Sequence, residues 1–233
     1  MVGRETDRRM LRGQNMDSCG SLYESRASGS SIPFIFLFHT NCQFHNAQKV
    51  HQSKIKNMKW ENTALIVVDV QIGLFQRDTP IFKEQTILEN INRLEDYAHS
   101  INIPVIYIQH ANESTLVERS DEWQLHPRLK KEYKDLLIHK RHPNTFKETN
   151  FKQELEVRNI KQLVIVGALT DNCVSATCIG GKKLGYMVIL VSDAHSTYSK
   201  PAPEIIEKKH NKLKNLGIYL KSTDEIIQYN KRT

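Results

Sequence analysis

Apolar runs alternate with amphipathic segments from about residue 58 to the end of the chain. The apolar runs predict six strands, at Ala64–Val70, Val105–Gln109, Asp135–His139, Gln162–Val166, Met187–Val191 and Ile218–Leu220. The segments between them predict helices at Glu84–Ser100, Asn150–Arg158, Asn172–Leu184 and Pro203–Leu216. Strands that are apolar on both faces need cover on both faces. The order of elements therefore predicts an α/β fold, with a largely parallel sheet between two layers of helices.

The first 57 residues lack this periodicity. They are rich in Ser, Arg, Asn and Gln around the stretch SCGSLYESRASGSS, a composition typical of disordered segments. We expect a disordered extension over residues 1–57 and a folded domain over residues 58–233, and we hypothesise that Met58 is the native start. The longest apolar run, Ile32–Phe38, is far shorter than the roughly 18 residues of a membrane span. The sequence therefore predicts no membrane segment and no signal peptide.

Charge and cysteine content narrow the function classes. The formal net charge is +7, but basic residues are interleaved with acidic ones and form no arginine-rich helix or RNA-recognition motif, so we expect no nucleic-acid partner. Four cysteines in a chain of this length do not form a dense disulfide framework. We therefore expect a protein of the reducing cytoplasm.

Three chemically active side chains follow strand ends. Asp69 ends the first predicted strand, Lys140 follows the third, and the fourth leads through Gly167 to Cys173. In a parallel sheet with right-handed crossovers these ends meet at one edge, where ligands bind. Each residue also has a structural interpretation: a turn-forming Asp, a solvated surface Lys, or an inert core Cys.

Cys173 lies where a helix is predicted to begin. Thr170, Asp171 and Asn172 are good capping residues, and a thiol in the first helical turn faces unpaired N–H groups and the positive end of the helix dipole. We expect this position to lower the pKa of the thiol and to favour a nucleophile. A redox pair with Cys178 is less favoured, because the spacing differs from the C-x-x-C motif.

Three stretches together resemble the isochorismatase-like cysteine hydrolases, the family that includes nicotinamidases. They are VVDVQIGLF (Val67–Phe75), HKRHPNTFKETNFKQEL (His139–Leu155) and VIVGALTDNCVSATCIGGKKLGYMVILVSDAHST (Val164–Thr197). The resemblance implies a three-layer α/β/α fold whose six-stranded parallel sheet has the order 3-2-1-4-5-6. It also implies a catalytic triad, carried here by Asp69, Lys140 and Cys173.

The resemblance implies further features of the site. A cis peptide between Ala168 and Leu169 would precede the nucleophile, and the backbone N–H groups of Leu169 and Cys173 would form an oxyanion hole. The implied reaction is cofactor-independent hydrolysis of a small-molecule amide, lactam or ureide through a thioester, with a streptothricin-like lactam as one candidate substrate. Family members commonly form homo-oligomers, so a dimer or tetramer is expected.

The sequence also departs from the nicotinamidase pattern. The stretch YIQHANESTL contains His110 and Asn112 but no Asp-x-His metal motif, so we expect no metal. Phe75, His110 and Trp123 are the expected substrate-binding residues. The other interpretation is core packing for Phe75, and core packing or a subunit contact for Trp123. Two other functions remain open: an isochorismatase-type vinyl-ether hydrolase, in which the thiol is dispensable, and a catalytically silent binding subunit.

Overall fold

The computed structural model describes residues 60–228. The expected extension over residues 1–57 and the hypothesised start at Met58 lie outside the described residues. The strands are β1 (Thr63–Val68), β2 (Val105–His110), β3 (Leu136–Lys140), β4 (Gln162–Ala168), β5 (Met187–Ser196) and β6 (Tyr219–Lys221). The α-helices are α1 (Ile72–Phe75), α2 (Glu84–Ser100), α3 (Phe151–Val157), α4 (Ser175–Lys183), α5 (Ala202–Asn215) and α6 (Thr223–Gln228). A π-helical turn over Thr170–Val174 precedes α4.

The strands form one parallel sheet in the order β3-β2-β1-β4-β5-β6. This is the predicted order. The central strand β1 is buried along its whole length and pairs with β2 on one side and with β4 on the other. No helix within residues 60–228 is both long and apolar enough to cross a membrane.

Alternate residues of the sheet feed two separate cores. Val67 and Tyr107 belong to the core that α2 and α6 cover, whereas Ile66 and Ile108 belong to the core that α3, α4 and α5 cover. This arrangement follows from the two-residue period of a strand, which sends neighbouring side chains to opposite faces. The structure therefore confirms the three-layer α/β/α architecture.

Element boundaries differ from the predictions mainly at the edge of the sheet where the parallel strands have their carboxyl ends. β1 ends at Val68 rather than Val70, because Asp69 takes a left-handed conformation with φ 49°. β5 continues to Ser196, past an irregularity in its pairing with β4 between Ile165 and Gly167. The helix predicted from Asn172 begins as the π-helical turn. The short helices α1 and α6 were not predicted, since four to six residues carry too little periodicity.

A buried carboxyl group lies beneath the sheet, on α2. Glu95 is fully buried and accepts hydrogen bonds from the Tyr107 hydroxyl (2.8 Å) and the Lys130 N–H (2.9 Å). Burial raises the pKa of Glu95 from its ordinary 4.5 to about 7. Between pH 4.5 and about pH 7, Glu95 is therefore protonated in the folded protein but ionised in the unfolded chain. Glu95 contributes most to stability below about pH 4.5, and this contribution is lost as the pH rises to about 7.

Glu95→Gln should remove this pH dependence, because Gln can donate to the Tyr107 oxygen and accept from the Lys130 N–H. We expect the variant to gain about 1–3 kcal/mol of unfolding free energy relative to wild type between pH 5 and pH 8. Urea unfolding at a series of pH values measures the difference. A difference that does not change with pH would show that Glu95 titrates normally.

Candidate active site

Asp69 and Lys140 form a buried ion pair at the edge where the strands end. Asp69 follows β1 and donates its backbone N–H to the Ile108 carbonyl (3.0 Å), and Lys140 is the last residue of β3. The Lys140 Nζ donates to Asp69 Oδ2 over 2.7 Å, and both side chains are almost inaccessible to solvent. Asp69 Oδ1 is also buried, yet it accepts no hydrogen bond from an N–H or O–H group of residues 60–228. One carboxylate oxygen is thus held by the ammonium while the other is free.

Cys173 completes this group from the π-helical turn after β4. The residue is buried, and burial raises the pKa of its thiol to about 12. The Asp69 charge acts in the same direction, whereas the Lys140 charge opposes it. The expectation of a lowered pKa is therefore wrong, because burial and the neighbouring Asp69 carboxylate raise the pKa of the thiol by more than the Lys140 ammonium lowers it. The resting group is a neutral thiol.

His110 lies at the end of β2, against the same ammonium. Its Nδ1 is 3.3 Å from Lys140 Nζ. An ammonium has only donors, so Nδ1 must be the acceptor, and the ring hydrogen is on Nε2. Burial and the Lys140 charge lower the pKa of His110, which keeps the imidazole neutral. Gln71 fixes this strand end, because its amide bonds both the N–H and the carbonyl of His110 and also the Trp123 carbonyl.

A possible metal-ligand set exists at the same place. Within residues 60–228, ligand atoms of Asp69, His110 and Cys173 lie within 4.8 Å of one another. The Lys140 ammonium, however, already contacts Asp69 and His110. A divalent cation bound by these atoms would lie beside that ammonium and be repelled by it. The residues present therefore do not fit a metal ion well.

The thiol faces a small cavity of about 120 Å³. Of the expected substrate-binding residues, His110 lines this cavity, but Phe75 and Trp123 do not. Phe75 is in the core, with its ring 5.2 Å from that of His126, and Trp123 packs edge-on against His139 at 4.9 Å. The short helix α1 directs Leu74 rather than Phe75 to the cavity.

Several cavity residues had no signal in the sequence. They come from loops after four different strands and include Leu74, Arg77, Asn112, Asn172 and Tyr198. Arg77 and Asn112 are ordinary polar residues of polar loops, so neither periodicity nor a motif singles them out. Asn172 lies within the stretch Val164–Thr197, directly before Cys173, and Tyr198 directly follows that stretch. Their positions beside the motif were the signal available in the sequence.

The backbone before Cys173 has the expected form. The Ala168–Leu169 peptide is cis. The Asn172 and Val174 N–H groups both donate to the Leu169 carbonyl, at 3.1 Å each, which ties the π-helical turn that contains Cys173 to the end of β4. Leu169 and Cys173 both line the cavity.

The parallel sheet and an acid, a lysine and a thiol at its carboxyl edge define a hydrolase of the three-layer α/β class. A model of the isochorismatase domain matches residues 63–224, and the chain belongs to the isochorismatase family of hydrolases. A solved isochorismatase from Pseudomonas putida is 25% identical, with a TM-score of 0.66 over 71% of this chain and 90% of that one. A cysteine hydrolase from Pseudomonas syringae has a TM-score of 0.71 at 19% identity over 75% and 95% of the chains, which shows the shared fold.

Curated relatives differ in their described activities. Streptothricin hydrolase of Streptomyces noursei is 28% identical over 145 residues, which are 61% of this chain but only 52% of that protein. A protein of Arabidopsis thaliana named "Probable inactive nicotinamidase" is 26% identical over 183 residues, 69% of this chain and 92% of its own length. The family thus includes both hydrolases and a member described as inactive.

Proposed function

We propose that the chain is a cysteine-dependent hydrolase of a C–N bond in a small amide, lactam or ureide, acting through a thioester. The observation that carries the proposal is the buried Oδ1 of Asp69, which has no N–H or O–H donor among residues 60–228, in a side chain that interacts with the Cys173 thiol and lines the same cavity. Burying a carboxylate oxygen without a donor costs free energy, so its presence needs an explanation such as a catalytic role. Accepting the thiol proton is such a function.

In the first step the Cys173 sulfur attacks the substrate carbonyl while its proton moves to Asp69. Because the resting thiol is neutral, proton transfer accompanies the attack rather than preceding it. The Lys140 ammonium offsets the negative charge that develops on sulfur. The Leu169 and Cys173 N–H groups stabilise the oxyanion of the tetrahedral intermediate.

In the second step the C–N bond breaks. The nitrogen takes the proton from Asp69 and leaves as an amine or ammonia, and the acyl group remains on Cys173 as a thioester. The same carboxylate then removes a proton from a water molecule, which attacks the thioester. The C–S bond breaks, the proton returns to sulfur, and a carboxylic acid is released. His110 can donate its Nε2 hydrogen to a ligand in the cavity.

A screen of primary amides, lactams and ureides for release of ammonia or amine tests this function. Rapid acid quenching followed by peptide mass spectrometry should find the acyl group on Cys173. The buried Cys178 is an internal control that should stay unmodified. Turnover without an adduct on Cys173, in a variant whose deacylation is slowed, would contradict the thioester pathway.

Alkylation by iodoacetamide separates the roles of the two charged partners. Asp69→Asn removes the charge that raises the pKa of the thiol and leaves Lys140 to stabilise a thiolate. We therefore expect Cys173 of Asp69→Asn to react at least about 10-fold faster at pH 8, because the thiolate fraction rises tenfold per unit decrease in pKa. Cys173 of Lys140→Met should react more slowly than Cys173 of wild type, because the charge that lowers the pKa of the thiol is absent.

Amide hydrolysis by Asp69→Asn should fall even though its thiol reacts faster, because the base is absent. Peptide mass spectrometry gives the alkylation rates, and labelling in denaturant should be equal in all three proteins. Slower alkylation of both variants would mean that Asp69 activates the resting thiol instead of accepting its proton during attack.

A further inference from the structure

We propose that Arg77 binds an anionic group of the substrate, so that the preferred substrates are small amides that also carry a carboxylate. This inference rests on the proposed function, since it concerns the same cavity. Arg77 lines the inner cavity with Cys173 and also an outer, open basin of about 400 Å³. Tyr198 is the other residue shared by the two.

The Arg77 guanidinium contacts the Tyr198 ring, and its N–H groups make no hydrogen bond to a residue between 60 and 228. Its central carbon lies 4.7 Å from the centroid of the Tyr198 ring, a cation–π contact through the flat face. Arg77 makes no ion pair with any carboxylate of residues 60–228. The in-plane N–H groups remain available, and they match the two oxygens of a carboxylate.

Tyr198 is a fixed platform because its neighbours are bonded to the nucleophile turn. Thr197 Oγ1 donates to Asp171 Oδ1 (2.7 Å), and Ser199 Oγ donates to Asp171 Oδ2 (2.9 Å). Asp171 is two residues before Cys173. These bonds connect the segment that carries Tyr198 to the turn that carries Cys173.

The charges around the cavity favour an anion. Within the described residues, Asp69 is the acidic side chain that lines the inner cavity, and Lys140 neutralises it. His110 is neutral, so Arg77 supplies the net positive charge. The outer basin adds Lys200 against Asp78. A cavity of about 120 Å³ holds only a few non-hydrogen atoms. The carboxylate of a short substrate would therefore lie near the rim, where Arg77 is.

Two alkylating reagents of equal size and different charge test the inference. Iodoacetate and iodoacetamide are applied to wild type, Arg77→Gln, Arg77→Lys and Lys200→Gln, and Cys173 labelling is followed by peptide mass spectrometry. N-acetylcysteine amide gives the ratio for a free neutral thiol. We expect the iodoacetate-to-iodoacetamide rate ratio to fall about 5- to 20-fold in Arg77→Gln, with the iodoacetamide rate nearly unchanged.

Lys200→Gln is the matched control, because it removes the same charge from the outer basin alone. Its ratio should stay within about twofold of wild type, as expected for an exposed charge. Arg77→Lys should have an iodoacetate-to-iodoacetamide rate ratio between those of wild type and Arg77→Gln. An unchanged ratio in Arg77→Gln would overturn the inference, because Arg77 would then not bind the carboxylate. An equal fall in Lys200→Gln would also overturn it, because any nearby positive charge would then have the same effect.

A second measurement uses ligands instead of reagents. Succinamate and succinamide have the same length, but one end of succinamate is a carboxylate. Succinamate should slow iodoacetamide labelling of wild-type Cys173 more than succinamide does, and Arg77→Gln should abolish this difference. Equal protection by both would overturn the inference. Failure of the proposed function is seen separately, as the absence of ammonia release from any amide by a protein that still shows the charge preference.

Discussion

Cys173→Ala is expected to lower amide hydrolysis by at least about 10⁴-fold, because the residual rate comes only from binding and the oxyanion site. The substitution removes only the sulfur atom, so the fold should persist with a small loss of stability. Ammonia release from a substrate found in the screen gives the rate, and urea unfolding checks the fold. Asp69 and Lys140 remain in this variant, and it therefore isolates the thiol.

Cys178→Ala is the matched control, since Cys178 is also a buried thiol, on α4, but lies outside the cavity. It should lose some stability through the small void and keep its turnover. If Cys173→Ala retained hydrolysis of a vinyl ether, an isochorismatase-type reaction with Asp69 as the acid would replace the proposal. If wild type and Cys178→Ala turned over no substrate, and the Cys173 thiol of both were unreactive, the binding-subunit interpretation would be favoured.

Gly167→Ala is expected to lower the free energy of unfolding by about 3–5 kcal/mol, or to prevent folding, because a methyl group has no space there. A Cβ at Gly167 would lie 2.1 Å from the Val68 carbonyl oxygen, which belongs to the neighbouring strand β1. Gly167 also has φ 116°, a conformation that side chains rarely adopt. Since Val68 and Gly167 precede Asp69 and Leu169 closely, any relief of the clash would also move the active site.

Gly185→Ala separates strain from collision. Gly185 has φ 89°, yet a Cβ there would meet nothing within 4 Å. We expect a loss of about 1 kcal/mol, the cost of the left-handed conformation alone. Urea unfolding of both variants gives the comparison. Equal losses would mean that the strands separate easily at Gly167, in contrast to the close approach in the structure.

Much of the fold follows from local sequence. The continuous apolar runs of β1, β2 and β4 mark strands that are buried on both faces, and the helical period of Glu84–Ser100 marks the helix at its observed bounds. The strand order came from the resemblance, because pairing between distant segments leaves no local trace. Short helices such as α1 were missed for the same reason, since tertiary contacts rather than periodicity fix them.

The functional edge divides in the same way. Strand ends in the sequence predicted that Asp69, Lys140 and Cys173 would meet, because connections in a parallel sheet leave few alternatives. The sequence could not show that Leu74 rather than Phe75 faces the cavity. Nor could it bring Arg77 onto Tyr198, since each of these contacts joins loops far apart in the chain.

The state of the thiol shows the limit most clearly. The sequence by itself determined that Cys173 follows a strand and begins a helical segment, and local helix electrostatics then predicted a lowered pKa. Only the tertiary structure decided the burial of that thiol and the position of the Asp69 carboxylate beside it, and both raise the pKa. Desolvation and charge proximity depend on all the surrounding segments together, so the neighbours of a residue in the chain cannot supply them.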